Sequence, residues 1–183
     1  MDNKQETTQS GPSPSGSLGA GDTSLPQSSS RTLRSPPSEM EAKSYYAGLP
    51  SAPILVARSS TTPWVAPTGP EAYLQTKELG PVGRHAIREV WEDGLGSKIC
   101  ALLDSMKVEW TSIDIVRIGY DEEYTTHTAP VVIWIGVTPA SLSGNDGVAV
   151  VVKCQEVLEE YNLTDVDVEI RESVVWGSRA YRS

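Results

Sequence analysis

The sequence predicts an α+β fold, a two-layer sandwich with helices on one face of an antiparallel sheet, behind a disordered N-terminal tail. Three observations predict it. Residues 165–172, "DVDVEIRE", alternate apolar and polar side chains, the period of a half-buried strand. Residues 82–107 place Ile87, Trp91, Leu95, Ile99, Leu102, Leu103 and Met106 at steps of three and four, the stripe of an amphipathic helix. The composition also changes abruptly after residue 44.

Residues 1–44 are dominated by Ser, Pro, Gly, Gln and Thr and contain no aromatic residue. Such a segment buries too little apolar surface to offset its ordering entropy, which predicts disorder. The chain has 183 residues and a formal net charge of -9. The tail holds four Lys/Arg and five Asp/Glu, the remainder eleven and nineteen, so the acidic part is the part expected to fold. This balance weighs against nucleic acid as a partner, since phosphate binding requires a Lys/Arg face. It weighs equally against an anionic membrane surface. The N-terminus "MDNKQETTQSG" has no apolar core behind a basic start, and no run approaches the roughly 18 apolar residues of a membrane span. The expectation is an intracellular protein, cytoplasmic or nuclear. In such a compartment Cys100 and Cys154, both in helical stretches, are expected to be free thiols.

Residues 45–81 mix aromatic residues with six prolines and are expected to form an irregular segment packed on the domain. Within it, 54–57 form a short apolar run suited to an edge or first strand, with Pro53 tolerated at its start. Residues 61–70 are irregular because their prolines remove donors and fix the backbone. A short helix is expected over 71–78, with Pro70 at its first turn. In the helical stretch 82–107, Gly94 and Gly96 each cost about 1 kcal/mol against Ala, so a kink is expected there. Residues 109–119 and 130–137 read as strands, with 120–129 a solvent loop at the end of their hairpin. Residues 147–162 read as a helix, because Val151, Cys154, Leu158 and Tyr161 keep helical spacing. Residues 176–183 follow no pattern and are expected to be unstructured. The order strand, helix, strand, strand, helix, strand over 45–175 is that of a ferredoxin-like βαββαβ domain, its main body at 82–175.

Sites of chemistry are sparse. The loop "GVTPASLSGNDG" follows an apolar strand, as a phosphate-holding loop would, but no Lys stands between residue 107 and Lys153, and Asp146 would repel phosphate. An ordinary helix cap by Ser143 or Asn145, with Asp146 favourable in the first turn, fits better. Asp121, Glu122, Glu123 and His127 hold cation-binding groups, yet three consecutive acids do not converge on one point, and a solvated tip fits better. His85 reads as a surface residue, and Ser141 and Ser143 have no base placed by a nucleophile motif. No catalytic, cofactor-binding or metal-binding residue is predicted.

A contact surface is better signalled. Val131, Ile133 and Ile135 share one face of their strand, while Val132 and Trp134 lie on the other, so both faces call for a dry environment. In the preceding strand, Thr111, Ile113 and Ile115 share a face opposite Trp110, Val116 and Ile118. Helices cover only one face of a two-layer domain. Trp110, Val116, Ile118, Val132 and Trp134 are therefore expected to meet a protein partner, a second copy of the chain, or its own segment 45–81.

The stretches "YYAGLPSAPILVARSSTTPWVAPTGPEAY", "ALLDSMKVEWTSIDIVRIGY", "APVVIWIGVTPASLSG" and "DVDVEIRESVV" resemble an uncharacterised family of fungal proteins, over about residues 45–175. The resemblance implies no assigned chemistry. It associates fuller members with a trypsin-like peptidase-related half bearing a Thr-Ala-Arg-His-type motif, which this chain lacks; the chain departs from the family after Val175. The expectations are thus a non-catalytic interaction or regulatory module, a truncated part of a peptidase-related protein without activity of its own, or a small enzyme using carboxylates around 121–127.

Overall fold

A computed structural model describes residues 34–70, 72, 75–125 and 127–174. The disorder expected for 1–33 and for 176–183 lies outside the described residues.

The elements are α1 (Glu39–Ser44), β1 (Leu55–Arg58), β2 (Lys77–Pro81), α2 (Ile87–Val90), α3 (Gly96–Ser105), β3 (Trp110–Tyr120), α4 (Asp121–Thr125), β4 (Val131–Val137), α5 (Gly144–Glu160) and β5 (Val166–Glu172). The strands form one sheet in the order β1-β5-β4-β3-β2. Every neighbouring pair is antiparallel except β4 and β5, which run parallel and are joined by α5. The α+β class stands, and the chain order of the expected elements is present, with β2 as an additional strand. The expected antiparallel, ferredoxin-like sheet is corrected. In that arrangement the first strand lies between the third and the last; here the last strand, β5, holds the inner place and β1 is at the edge. β5, with seven residues, pairs along all of β4, whereas β1 has four residues and pairs only with β5.

β4 is buried along its whole length, which explains its unbroken apolar reading. Its odd-numbered side chains, with Ala57, Val166, Val168 and Ile170, meet Ile87, Leu95, Ile99 and Leu103 of the α2–α3 stretch and Val150, Val151, Cys154 and Leu158 of α5. The expected kink lies between α2 and α3. Trp91–Leu95 form a π-helical turn that breaks at Gly94, whose φ of +124° only glycine adopts without strain.

α5 is capped as expected: the Ser143 Oγ accepts from the Asp146 backbone N–H at 3.1 Å and donates to the Asp146 carboxylate at 2.7 Å. Ser143→Ala removes that acceptor. It is expected to lower unfolding free energy by about 1 kcal/mol in chemical denaturation, without moving the near-UV spectrum.

Three local expectations change. Residues 34–44 belong to the folded domain: Ser38 caps α1, and the Glu41 carboxylate accepts from Arg58 Nε at 2.8 Å. Polar composition hid this, because α1 is held by ion pairs and carries no buried residue of its own. The helix expected over 71–78 is not what its described part forms. Lys77 and Glu78 begin β2, pairing with Tyr120 and Gly119, and the Lys77 N–H donates to the Ala47 carbonyl at 2.7 Å. Ladder pairing outweighs local propensity there. In 120–129 the loop contains α4, closed by a Glu123 carboxylate that accepts from the Tyr120 N–H at 2.7 Å.

Candidate functional site

The second face of the sheet is covered by the chain itself. Tyr45, Tyr46 and Leu49, just after α1, lie over Leu55, Ile118, Val132 and Trp134, with Val116 and Trp64 at the margin. Register sets the polar groups of this layer: Trp134 is opposite Glu169 on β5, and Val132 is opposite Asp167. β5 is an inner strand paired on both edges, and the Tyr45 and Tyr46 layer covers this face at Glu169. Glu169 is only 4% exposed.

Two phenols hold that carboxylate. Tyr45 donates to Oε1 at 2.7 Å and Tyr46 to Oε2 at 2.8 Å, while Trp134 Nε1 donates to the Tyr46 hydroxyl at 3.1 Å. The rings of Tyr45 and Tyr46 meet edge-on at 5.0 Å, and those of Tyr46 and Trp134 at 5.7 Å. The Lys77 ammonium lies 3.2 Å from the Tyr45 ring centroid, and the Arg171 guanidinium stacks 3.6 Å from that of Trp134. Burial pushes Glu169 above the usual carboxylate range, opposed by the Lys77 charge and the two phenol hydrogen bonds. Burial, then the Glu169 charge, holds both phenols well above their ordinary value. Lys77 is pushed down by burial, against the Glu169 charge. The phenols therefore stay protonated as donors, and each carboxylate oxygen is occupied. Chemically this is a clasp fastening 45–49 to the sheet, and its inner end opens on a cleft of about 390 Å³ lined by Arg58, Trp64, Lys77, Tyr120, Asp167 and Glu169.

A different surface is left open. β3 has eleven residues, but β2 pairs only with Val116–Tyr120. Among the described residues, the stretch from Trp110 to Ile115 is paired on the β4 side alone. Beside it, between α3 and β3, lies an open groove of about 650 Å³, lined by Trp91, Cys100, Ala101, Trp110 and Ile113, with Glu92 and Asp104 at its rim. Trp91, Trp110 and Ile113 are half-buried, and Ala101, Glu92 and Asp104 are exposed. Trp110 is held across the groove by donating from Nε1 to the Asp104 carboxylate at 2.9 Å.

The structure thus divides the five residues expected at a contact surface. Val132, Trp134 and Ile118 are buried under the chain's own Tyr45 and Tyr46 layer, and half-buried Val116 packs at its edge. Of the three alternatives the sequence left open, it is the chain's own segment 45–81 that covers these four residues. Trp110 is not on their face. A β-bulge between Trp110 and Ser112 shifts the register by one residue and turns Trp110 to the helix side, beside Ile113. Strict alternation had placed it opposite.

Other candidates stay apart. No cluster of three or more His, Cys, Asp or Glu side chains with metal-binding geometry occurs among the described residues. His85 faces Asp165 at 3.2 Å. Cys100 and Cys154 are free, and burial pushes the Cys154 thiol up to about 12. No helix is long and apolar enough to cross a membrane among the described residues.

The Glu169 clasp escaped sequence reading because Glu169 alternates with apolar neighbours and so reads as solvent-facing. The usable signal was the demand of Val132 and Trp134 for cover, together with the adjacent Tyr45 and Tyr46. Compared with protein-family models, curated proteins and solved structures, the chain matches none.

Proposed function

We propose that this chain is a non-catalytic interaction module, working inside the cell as the N-terminal domain of the fungal family its sequence resembles. One observation carries the reading: a strand edge from Trp110 to Ile115 with no neighbour on its outer side among the described residues, beside an open groove of aromatic and apolar side chains. Unpaired backbone donors and acceptors of an edge strand accept an added strand, and adjoining pockets select its side chains. The expected partner surface is moved from the Val132 and Trp134 face to this edge.

Affinity capture from cells of the source tests it. Wild-type protein is expected to retain at least one partner that an Ile113→Arg variant of equal thermal stability loses. Identical partner sets for the two proteins would sink the reading. The carboxylate-enzyme alternative makes a separate demand. Under the interaction reading, saturating Mg²⁺, Ca²⁺ or Zn²⁺ leaves the melting temperature unchanged. A cation held by the native state at a hundredfold over its Kd would add about 2.7 kcal/mol, and an upward shift with one ion would favour the enzyme.

A further inference from the structure

We infer that the edge strand from Trp110 to Ile115 takes an extended segment of a partner protein in which apolar and basic residues alternate. The inference rests on the interaction reading and names the chemistry of what binds. A strand added to this edge sends successive side chains to opposite faces of the sheet. On the helix side they meet the groove of Trp91, Trp110 and Ile113, which favours apolar residues. On the other side they meet Asp114, whose neighbours along β3 on that face are Ser112 and Val116. The Asp114 side chain is 48% exposed, and its contact with Arg171, at 3.7 Å, leaves much of the carboxylate facing outward. Glu92 and Asp104 border the groove on the helix side, so on the opposite face the basic residues answer to Asp114, the carboxylate that Arg171 only partly engages. A basic residue at alternate positions meets attraction, and an acidic one meets repulsion.

The same charges argue against a second copy as the occupant. Antiparallel pairing of this stretch with itself would bring Asp114 of each protomer to one small region in a chain of net charge -9. Register, too, suits a foreign strand. Pro81 ends β2 opposite Val116, and a proline has no N–H to extend the ladder, so β2 stops where the open stretch begins.

The test uses the full chain and capped synthetic hexapeptides. One alternates Val and Arg, one alternates Val and Glu, and one repeats the Val/Arg sequence with alternate backbone amides N-methylated. Binding is read by calorimetry, and its place by hydrogen exchange at residues 110–115. The Val/Arg peptide is expected to bind at least about tenfold more tightly than either control and to slow exchange at 110–115. Asp114→Lys is expected to cost about tenfold and to reduce the salt dependence, with an unchanged melting temperature showing that it folds. Equal binding of the Val/Arg and Val/Glu peptides overturns the inference, as does protection elsewhere. A peptide-free dimer with residues 110–115 already protected assigns the edge to a second copy and also overturns it. If no peptide binds while Ile113→Arg still loses a captured partner, the alternation rule fails and the interaction reading survives. If neither effect is seen, both fail.

Discussion

Glu169→Ala is expected to lower unfolding free energy by about 3–5 kcal/mol in urea titration, the range for removing one side of a buried charged network. The carboxylate is the acceptor for both Tyr45 and Tyr46 at 2.7 and 2.8 Å. Its removal leaves two buried hydroxyls without that acceptor and takes away the buried charge that favours the Lys77 ammonium. The loss should appear first in the segment 45–49, as faster hydrogen exchange there than in β4. Glu169→Gln keeps the shape and an acceptor oxygen, and should cost less. The two variants also differ from wild type in pH dependence. Burial raises Glu169, so the folded state keeps its proton at pH values where the unfolded chain has released it. The stability this contributes is complete below the ordinary value of 4.5 and is lost as pH rises through the higher folded value. Lys77 is lowered, so its contribution is complete above 10.5 and is lost as pH falls through its folded value. On the acid side of neutrality Glu169 contributes stability that falls as pH rises, and Glu169→Gln should remove that contribution. An unchanged slope would mean that the carboxylate is solvated and the clasp is not closed.

Trp134→Asp is expected to unfold the protein. Trp134 is 6% exposed, edge-on to Tyr46, and stacked with Arg171. Truncating a buried Trp costs about 3–5 kcal/mol through lost transfer energy and the cavity left behind. Aspartate adds a second carboxylate at the position register sets opposite Glu169, in a layer that already bears one buried negative charge. Against a total stability of about 5–15 kcal/mol, the sum is enough to abolish a cooperative fold. Circular dichroism and light scattering decide the outcome. Unfolded chain supports cover by Tyr45 and Tyr46, whereas a folded monomer obtained from a wild-type dimer would return this face to a partner. Trp134→Phe keeps an aromatic ring in place, losing the donor to the Tyr46 hydroxyl and some packing volume without adding a charge, so it should cost less than Trp134→Asp and remain folded.

Much of the architecture is written in local pattern. The stripe from Ile87 to Met106 specifies the kinked helix, with Gly94 marking the break, and Ser143 with Asp146 marks the start of α5. Alternation in 165–172 specifies β5, and the apolar run of β4 announces that both its faces are enclosed. Each of these signals is decided by residues within a few positions of one another, through periodicity, glycine geometry or capping.

What tertiary structure alone decided is how those pieces meet. Chain order is the same whether β1 or β5 takes the inner place; the parallel pairing of β5 along β4 settles it. Lys77 begins a strand because Tyr120 lies opposite, and nothing in 71–78 itself carries that information. The bulge after Trp110 is set by its pairing with Val137, and it moves one tryptophan to the opposite face. Glu169 becomes a buried acceptor only when Tyr45 and Tyr46, more than a hundred residues earlier, close over it. Burial, register and edge are properties of neighbours in space, and a pattern read along one strand cannot contain the strand that lies beside it.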